Sequence, residues 1–246
     1  MLNTLVWVSY DGTNYSGFQI QENAPTVQGE LEKALGIIYK EPVRVAGAGR
    51  TDSGVHALGQ AANFNAPFRI ETLSLPKALN TLLPPDIVVT GAEEVSSDFH
   101  ARFACRGKIY SYTLDRAPHP RVMDRLYSLH MPDQMDIAMM RRAAKLFMGE
   151  HDFKAFQASG SSVSDTVRRL KRVEIINLQE EEKLIVYFEG DGFLYRMVRL
   201  IMGTLIRAAE GKLSLAEIET ALSGKNPAAV GPTAPAYGLC LEKVLY

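Results

Sequence analysis

Ala48-Gly49-Arg50-Thr51-Asp52-Ser53-Gly54-Val55-His56-Ala57 lies between two β-type runs, Val43-Arg44-Val45-Ala46 and Gln60-Ala61-Ala62-Asn63-Phe64. Its glycines, Ser and Thr favour a turn with unusual backbone angles, one that can push a side chain out over the end of a sheet. The candidates for that side chain are Arg50 and Asp52, with His56 further along. A carboxylate beside a fixed guanidinium stays ionised, as a nucleophile must. Thr-Asp-Ser-Gly is also ordinary turn chemistry, in which Asp hydrogen-bonds its own backbone. Taken alone, these ten residues admit both readings.

Outward from that loop, residues 2–10 alternate as a strand and end at the turn Tyr10-Asp11-Gly12-Thr13. Thr26 is placed to cap a helix with Val27, Leu31, Ala34, Leu35 and Ile38 on one face. Strands over 43–47 and 58–65 flank the Asp52 loop. A helix over 71–83 ends at Pro84-Pro85, and 86–95 is β-rich. This β-α-β-β-α-β order is that of a ferredoxin-like unit.

The second half roughly repeats the alternation. Lys108 to Leu114 is a strand with Tyr110 and Tyr112 on one face. A helical pattern over 135–148 is closed by Gly149. Residues 166–176 and 184–188 read as a hairpin, and 192–209 as an apolar helix. Ser214-Leu215-Ala216-Glu217 is a capping box, and 239–245 a final strand. The expected fold is therefore α+β: two ferredoxin-like halves sharing a central, mostly antiparallel sheet with flanking helices. Residues 1–105 would carry the Asp loop, and 106–246 would complete the cleft.

Bulk properties narrow the class. With 246 residues, 46% apolar and 22% charged, the chain can bury a substantial core. No apolar run reaches membrane-spanning length, and the first residues read as strand rather than signal peptide. Cys105 and Cys240 lack CxxC spacing, which suits a reducing cytoplasm. The five histidines show no metal-ligand spacing, so no metal is expected. Net charge is −1, divided as −4 over 1–105 and +3 over 106–246. A local basic surface on the second half is compatible with that, but the whole-chain field gives little steering.

Other residues could carry chemistry. Arg196 and Arg199 sit in an apolar run, Phe193 to Ile206, that reads as a buried helix. A buried guanidinium needs an anionic partner, which an ionised Asp52 would supply; otherwise it snorkels to the surface. Tyr110 and Tyr112 are either core tyrosines with a hydroxyl at the edge or a contact for an extruded base. Arg168-Arg169 with Lys171-Arg172 either tracks phosphates or forms a solvated hairpin face.

The string Gly49 to Ala57 closely resembles the signature of the TruA family of tRNA pseudouridine synthases, in which the Asp is the nucleophile. Further motifs follow in family order: Tyr10-Asp11-Gly12-Thr13, Gly17-Phe18-Gln19, Asp98-Phe99-His100-Ala101-Arg102, Lys108-Ile109-Tyr110-Ser111-Tyr112, Gly192 through Arg199, and Thr233-Ala234-Pro235. Phe18 stands where the family commonly has Trp. The resemblance implies isomerisation of uridine to pseudouridine at positions 38, 39 and 40 of the tRNA anticodon stem-loop, without metal or redox cofactor. It implies Asp52 as nucleophile, Tyr110 as the tyrosine contacting the target nucleotide, and Arg199 as the cation paired with the nucleophile. Arg50 would help extrude the base or fill its place. His56, Arg168 and Arg169 complete the expected substrate contacts. A homodimer, with one tRNA contacting both subunits, is implied as well. The rival is a non-catalytic RNA-binding module of ferredoxin-like units, but the Lys/Arg-Gly-Phe/Tyr motif of RRM-type modules is absent. A hydrolase would need a second acid, which the matched motifs do not offer.

Overall fold

A computed structural model describes residues 2–132, 134–161, 163–224 and 227–246. Backbone contacts divide the chain into two units: the chain through Arg106 together with Cys240–Tyr246, and Gly107–Leu239. The expected division at 105/106 made no provision for this return of the last strand. Its reason is a pairing of Cys240 with His56 and of Leu241 with Ala57, residues 184 apart in sequence, which no local pattern encodes.

The first unit contains β1 (Leu2–Tyr10), α1 (Val27–Tyr39), β2 (Val45–Gly47), β3 (His56–Ala66), α2 (Leu75–Asn80) and β4 (Ile87–Val95). β1 runs antiparallel between β4 and β3, and β2 pairs antiparallel with β3. The resulting order, β4-β1-β3-β2, is that of the expected ferredoxin-like unit. A strand has two edges, and β1 takes one edge of β3. The other is shared: β2 covers Ala62–Phe64, while β10 (Leu239–Leu245) runs parallel along His56 and Ala57. The crossing is so close that a Cβ on Gly59 would lie 2.5 Å from the Glu242 carbonyl.

Local chemistry accounts for the helix ends. The Thr26 side chain accepts from Gly29 N, and Lys40 in a left-handed conformation (φ 59°) ends α1. The buried stripe is Val27, Leu31, Ala34, Leu35 and Tyr39, with Ile38 only half-buried. α2 is shorter than the expected 71–83, because turns at Glu71–Leu75 and Leu79–Leu83 replace its ends and Pro76 stands in its first turn.

The second unit contains β5 (Gly107–Asp115), β6 (Leu129–His130), α3 (Ile137–Leu146), β7 (Gly149–Asp152), β8 (Val167–Leu178), β9 (Lys183–Gly190), α4 (Met197–Ala209) and α5 (Leu215–Leu222). β5, β9, β8 and β7 pair in that order, all antiparallel, with β6 parallel to β5. The expected hairpin is present. So is the capping box: Ser214 Oγ accepts from Glu217 N, and the Glu217 carboxylate from Ser214 N.

Three expectations change. Gly149 (φ 95°) opens β7 rather than closing α3. β6 and β7 are too short to leave an alternating pattern. The apolar helix starts at Met197, because Arg196 takes a left-handed φ of 58° and interrupts it. Among the described residues, no helix is long and apolar enough to cross a membrane.

Candidate active site

In the first unit, Arg50 and Asp52 lie on the short link between β2 and β3, and His56 is the first residue of β3. Arg50 is exposed, Asp52 half-buried and His56 buried. The link is tied on both sides of Asp52. Before it, Ala48 N donates to Ala61 O at 2.8 Å, and Gln60 Nε2 donates to Gly49 O at 3.1 Å. Buried Thr51 meets the Tyr10 hydroxyl through its own hydroxyl at 2.8 Å, and its carbonyl accepts from Phe18 N at 3.2 Å. After it, Val55 N closes a turn onto Asp52 O, while Gly54 N and Ser53 Oγ both donate to Tyr15 O. Gly54 supplies the positive φ (76°) that this turn needs.

The opposing wall is Tyr10-Asp11-Gly12-Thr13 and Gly17-Phe18, and its glycines are there for contact. A Cβ on Gly12 would lie 2.0 Å from Val55 O, and one on Gly17 2.3 Å from Thr51 O. Phe18, 2% exposed, rests on Gly47 and beside Tyr10, with ring centroids 6.3 Å apart. Burial pushes the Tyr10 phenol well above its ordinary range, so it meets Thr51 as a neutral hydroxyl.

His56 Nδ1 lies 3.1 Å from both Gly12 N and Asp11 Oδ1. One nitrogen cannot serve both: it accepts from Gly12 when unprotonated and donates to Asp11 when protonated. Asp11 Oδ1 also accepts from Thr13 N at 3.0 Å. In either state this side of the ring holds the turn that backs the Asp52 loop.

The second unit gathers three of the motifs around the start of α4. Tyr110, buried, meets Phe193 edge to face at 5.1 Å, and Tyr112, fully buried, donates its hydroxyl to Pro235 O at 2.9 Å. Burial raises the Tyr112 phenol well above its usual range. Arg199, half-buried, donates Nε to Ala234 O at 2.7 Å, and Ala234 N donates back to Arg199 O at 3.1 Å. The Thr233-Ala234-Pro235 segment is thus clasped to α4. The same clasp continues through Gly231 N, which donates to Thr204 Oγ1 at 2.8 Å. Arg196, by contrast, is exposed over the Tyr195 ring at 4.9 Å, the outcome in which it reaches the surface.

The basic residues of β8 are held in different ways. A bulge between Leu170 and Arg172 shifts the alternation. Arg168 lies half-buried against Gly192, and Arg169 is exposed with its backbone N on Asp191 Oδ1 at 3.1 Å. Arg172 spans Glu174 at 3.1 Å and Glu189 at 3.7 Å over the Tyr187 ring. Among the described residues no group of three or more His, Cys, Asp or Glu is placed to hold a metal ion.

Sequence reasoning missed Tyr10, Thr51, Gly12 and Gly17 as the residues that hold the loop. Their signal was available: two glycines in a loop that also carries a strand's last aromatic mark a close backbone approach.

A family described as tRNA pseudouridine synthase matches residues 6–104 and 143–246, a match that leaves out β5 with Tyr110. A tRNA pseudouridine synthase A of Ruminiclostridium cellulolyticum is 45% identical over 239 residues, 97% of each chain. Proteins of the same name from Clostridium acetobutylicum and Acetivibrio thermocellus are 42% and 44% identical, each over the whole of both chains.

Proposed function

The chain belongs to the tRNA pseudouridine synthase family, a family of isomerases, and from that premise we propose that it converts uridine to pseudouridine at positions 38, 39 and 40 of the tRNA anticodon stem-loop, with Asp52 as nucleophile. Asp52 attacks C1′ of the ribose or C6 of the base. The C1′–N1 bond breaks, the uracil turns and C5 joins C1′, the bond to Asp52 breaks and returns its electron pair to the carboxylate, the C5 proton leaves, and N1 gains one. Atoms and electrons balance without a cofactor.

What carries this reading is the construction of the loop. Half-buried Asp52 stands between buried Thr51, bonded to Tyr10, and Ser53, bonded to Tyr15 O, and the loop is backed by glycines at contact distance. Such pre-organisation is what a nucleophile requires, since misplacement by about 1 Å costs on the order of a hundred-fold in rate. In the proposal Arg199 is the cation serving Asp52, Tyr110 contacts the target nucleotide, and Arg50 occupies or opens the place of the extruded base. Extrusion costs a few kcal/mol, which backbone contacts by residues such as Arg168 and Arg169 offset. His56 acts from behind the loop. The enzyme works as a homodimer in the cytoplasm.

The test is pseudouridine mapping of unmodified tRNA after incubation with wild type and with Asp52→Asn. Conversion at 38–40 by wild type alone, with the variant still binding tRNA, is expected. Conversion elsewhere would discard the substrate site, and turnover by Asp52→Asn would discard the nucleophile. Tight RNA binding by wild type without any conversion would favour a binding module.

A further inference from the structure

The segment after β4 is tied down by hydrogen bonds from three side chains distant in sequence. Two buried amides secure it. Asn3 Nδ2 donates to Ser96 O at 2.9 Å and to Phe99 O at 2.8 Å, and Asn63 Oδ1 accepts from Ala101 N at 2.8 Å. The amides also bond to each other, Asn63 Nδ2 to Asn3 Oδ1 at 2.9 Å. All four side-chain polar groups are satisfied, as burial in the sheet demands. From the other side, the Tyr246 hydroxyl donates to Ala101 O at 3.0 Å, and its ring packs on Phe99 at 5.1 Å.

The turn so anchored presents Phe103 to solvent at 78% exposure. Scattered exposed apolar residues need no explanation. This one has two partners that do. The His100 imidazole leans on its ring at 4.5 Å and 40°, and the Arg102 guanidinium lies 5.9 Å from its centroid. Backbone bonds from Phe103 N and Ala104 N to His100 O close the turn, and Arg102 N donates to His100 Nδ1.

We propose that Phe103, with His100 and Arg102, is a stacking platform for an unpaired nucleobase of the RNA substrate. The chemistry fits an unstacked base and its phosphate. A planar ring offers a face to any base, a guanidinium adds charge for the backbone, and the ordering cost is already met by the fold. A protein partner would have less use for a cation and an imidazole laid along the same ring. The platform rests on the reading that the substrate is tRNA, and it would bind a nucleotide other than the one that reacts. Phe103 is therefore a binding residue and not a catalytic one.

The experiment compares wild type with Phe103→Ala, Phe103→Leu and Phe103→Trp, using unmodified tRNA transcript as the probe. Kd, kcat and KM are measured alongside Tm and sedimentation. Phe103→Ala is expected to weaken Kd and raise KM by about ten-fold while leaving kcat and Tm unchanged. Trp restores binding and Leu does not, because stacking needs a π-face. An unchanged Kd in Phe103→Ala, or restoration by Leu equal to that by Trp, overturns the platform. A shift in sedimentation at unchanged Kd also overturns it and assigns Phe103 to a second copy of the chain. Turnover by wild type with a silent Phe103→Ala would leave the function standing without the platform. RNA binding that depends on Phe103, without any turnover, would do the reverse.

Discussion

The position of Asp52 is tied to its neighbour Thr51, and through it to Tyr10. The hydroxyl pair is buried and short, at 2.8 Å, and lies one residue from the carboxylate. Tyr10→Phe removes one hydroxyl and leaves that of Thr51 to find another partner. The expected cost is about 1 kcal/mol of stability, read by urea unfolding. Because the loop backbone then gains freedom, kcat should fall while KM for tRNA holds. A stability loss with kcat intact would reduce the pair to scaffold. The nucleophile and its signature were legible in the sequence, since Gly-Arg-Thr-Asp-Ser-Gly is a local string. The partner Tyr10 was not, because nothing in the order of residues says which strand end lies over Thr51.

At the scale of one element, α4 shows how context reverses a propensity. Replacing a mid-helix glycine by alanine normally gains about 1 kcal/mol. At Gly203 the new Cβ would stand 1.7 Å from Pro232 O, and a Cβ on Gly231 would likewise lie 2.5 Å from the Gly203 carbonyl. Gly203→Ala should instead destabilise by about 1–3 kcal/mol and lower activity, because the displaced segment carries the Ala234 carbonyl that receives Arg199 Nε. Ser214→Ala is the control: it breaks the α5 capping box at a cost of about 1 kcal/mol and should leave activity alone. Thermal melts and a turnover assay on both variants check the pair, and a stabilised Gly203→Ala would refute the clasp. Caps such as Thr26 and Ser214 could be read from sequence because their partners lie three residues away. The break before α4 could not, since the left-handed φ of 58° at Arg196 is one that a non-glycine residue rarely adopts and the apolar pattern runs straight across it.

At the scale of the whole molecule, the last strand matters most. Cys240–Tyr246 belongs with the chain through Arg106, where β10 pairs with His56–Ala57 and Leu245 O accepts from Arg106 N. Its final ring lies 5.8 Å from Trp7, the single tryptophan. Ending the chain at Leu239 should therefore red-shift Trp7 emission and lower the urea midpoint of the transition it reports; unchanged emission and midpoint would remove β10 from the first unit's stability. By itself the sequence determined the longer elements, the caps of α1 and α5, the α+β class and the family, because periodicity, capping and motif strings act over a few residues. Only the tertiary structure decided that Tyr10 holds Thr51, that Thr233–Pro235 clasps α4, that Asn3 and Asn63 secure the Phe103 turn, and that the chain's end returns to its first unit. Each of these is a contact between residues distant in sequence, and its free energy exists only once both partners are folded into place.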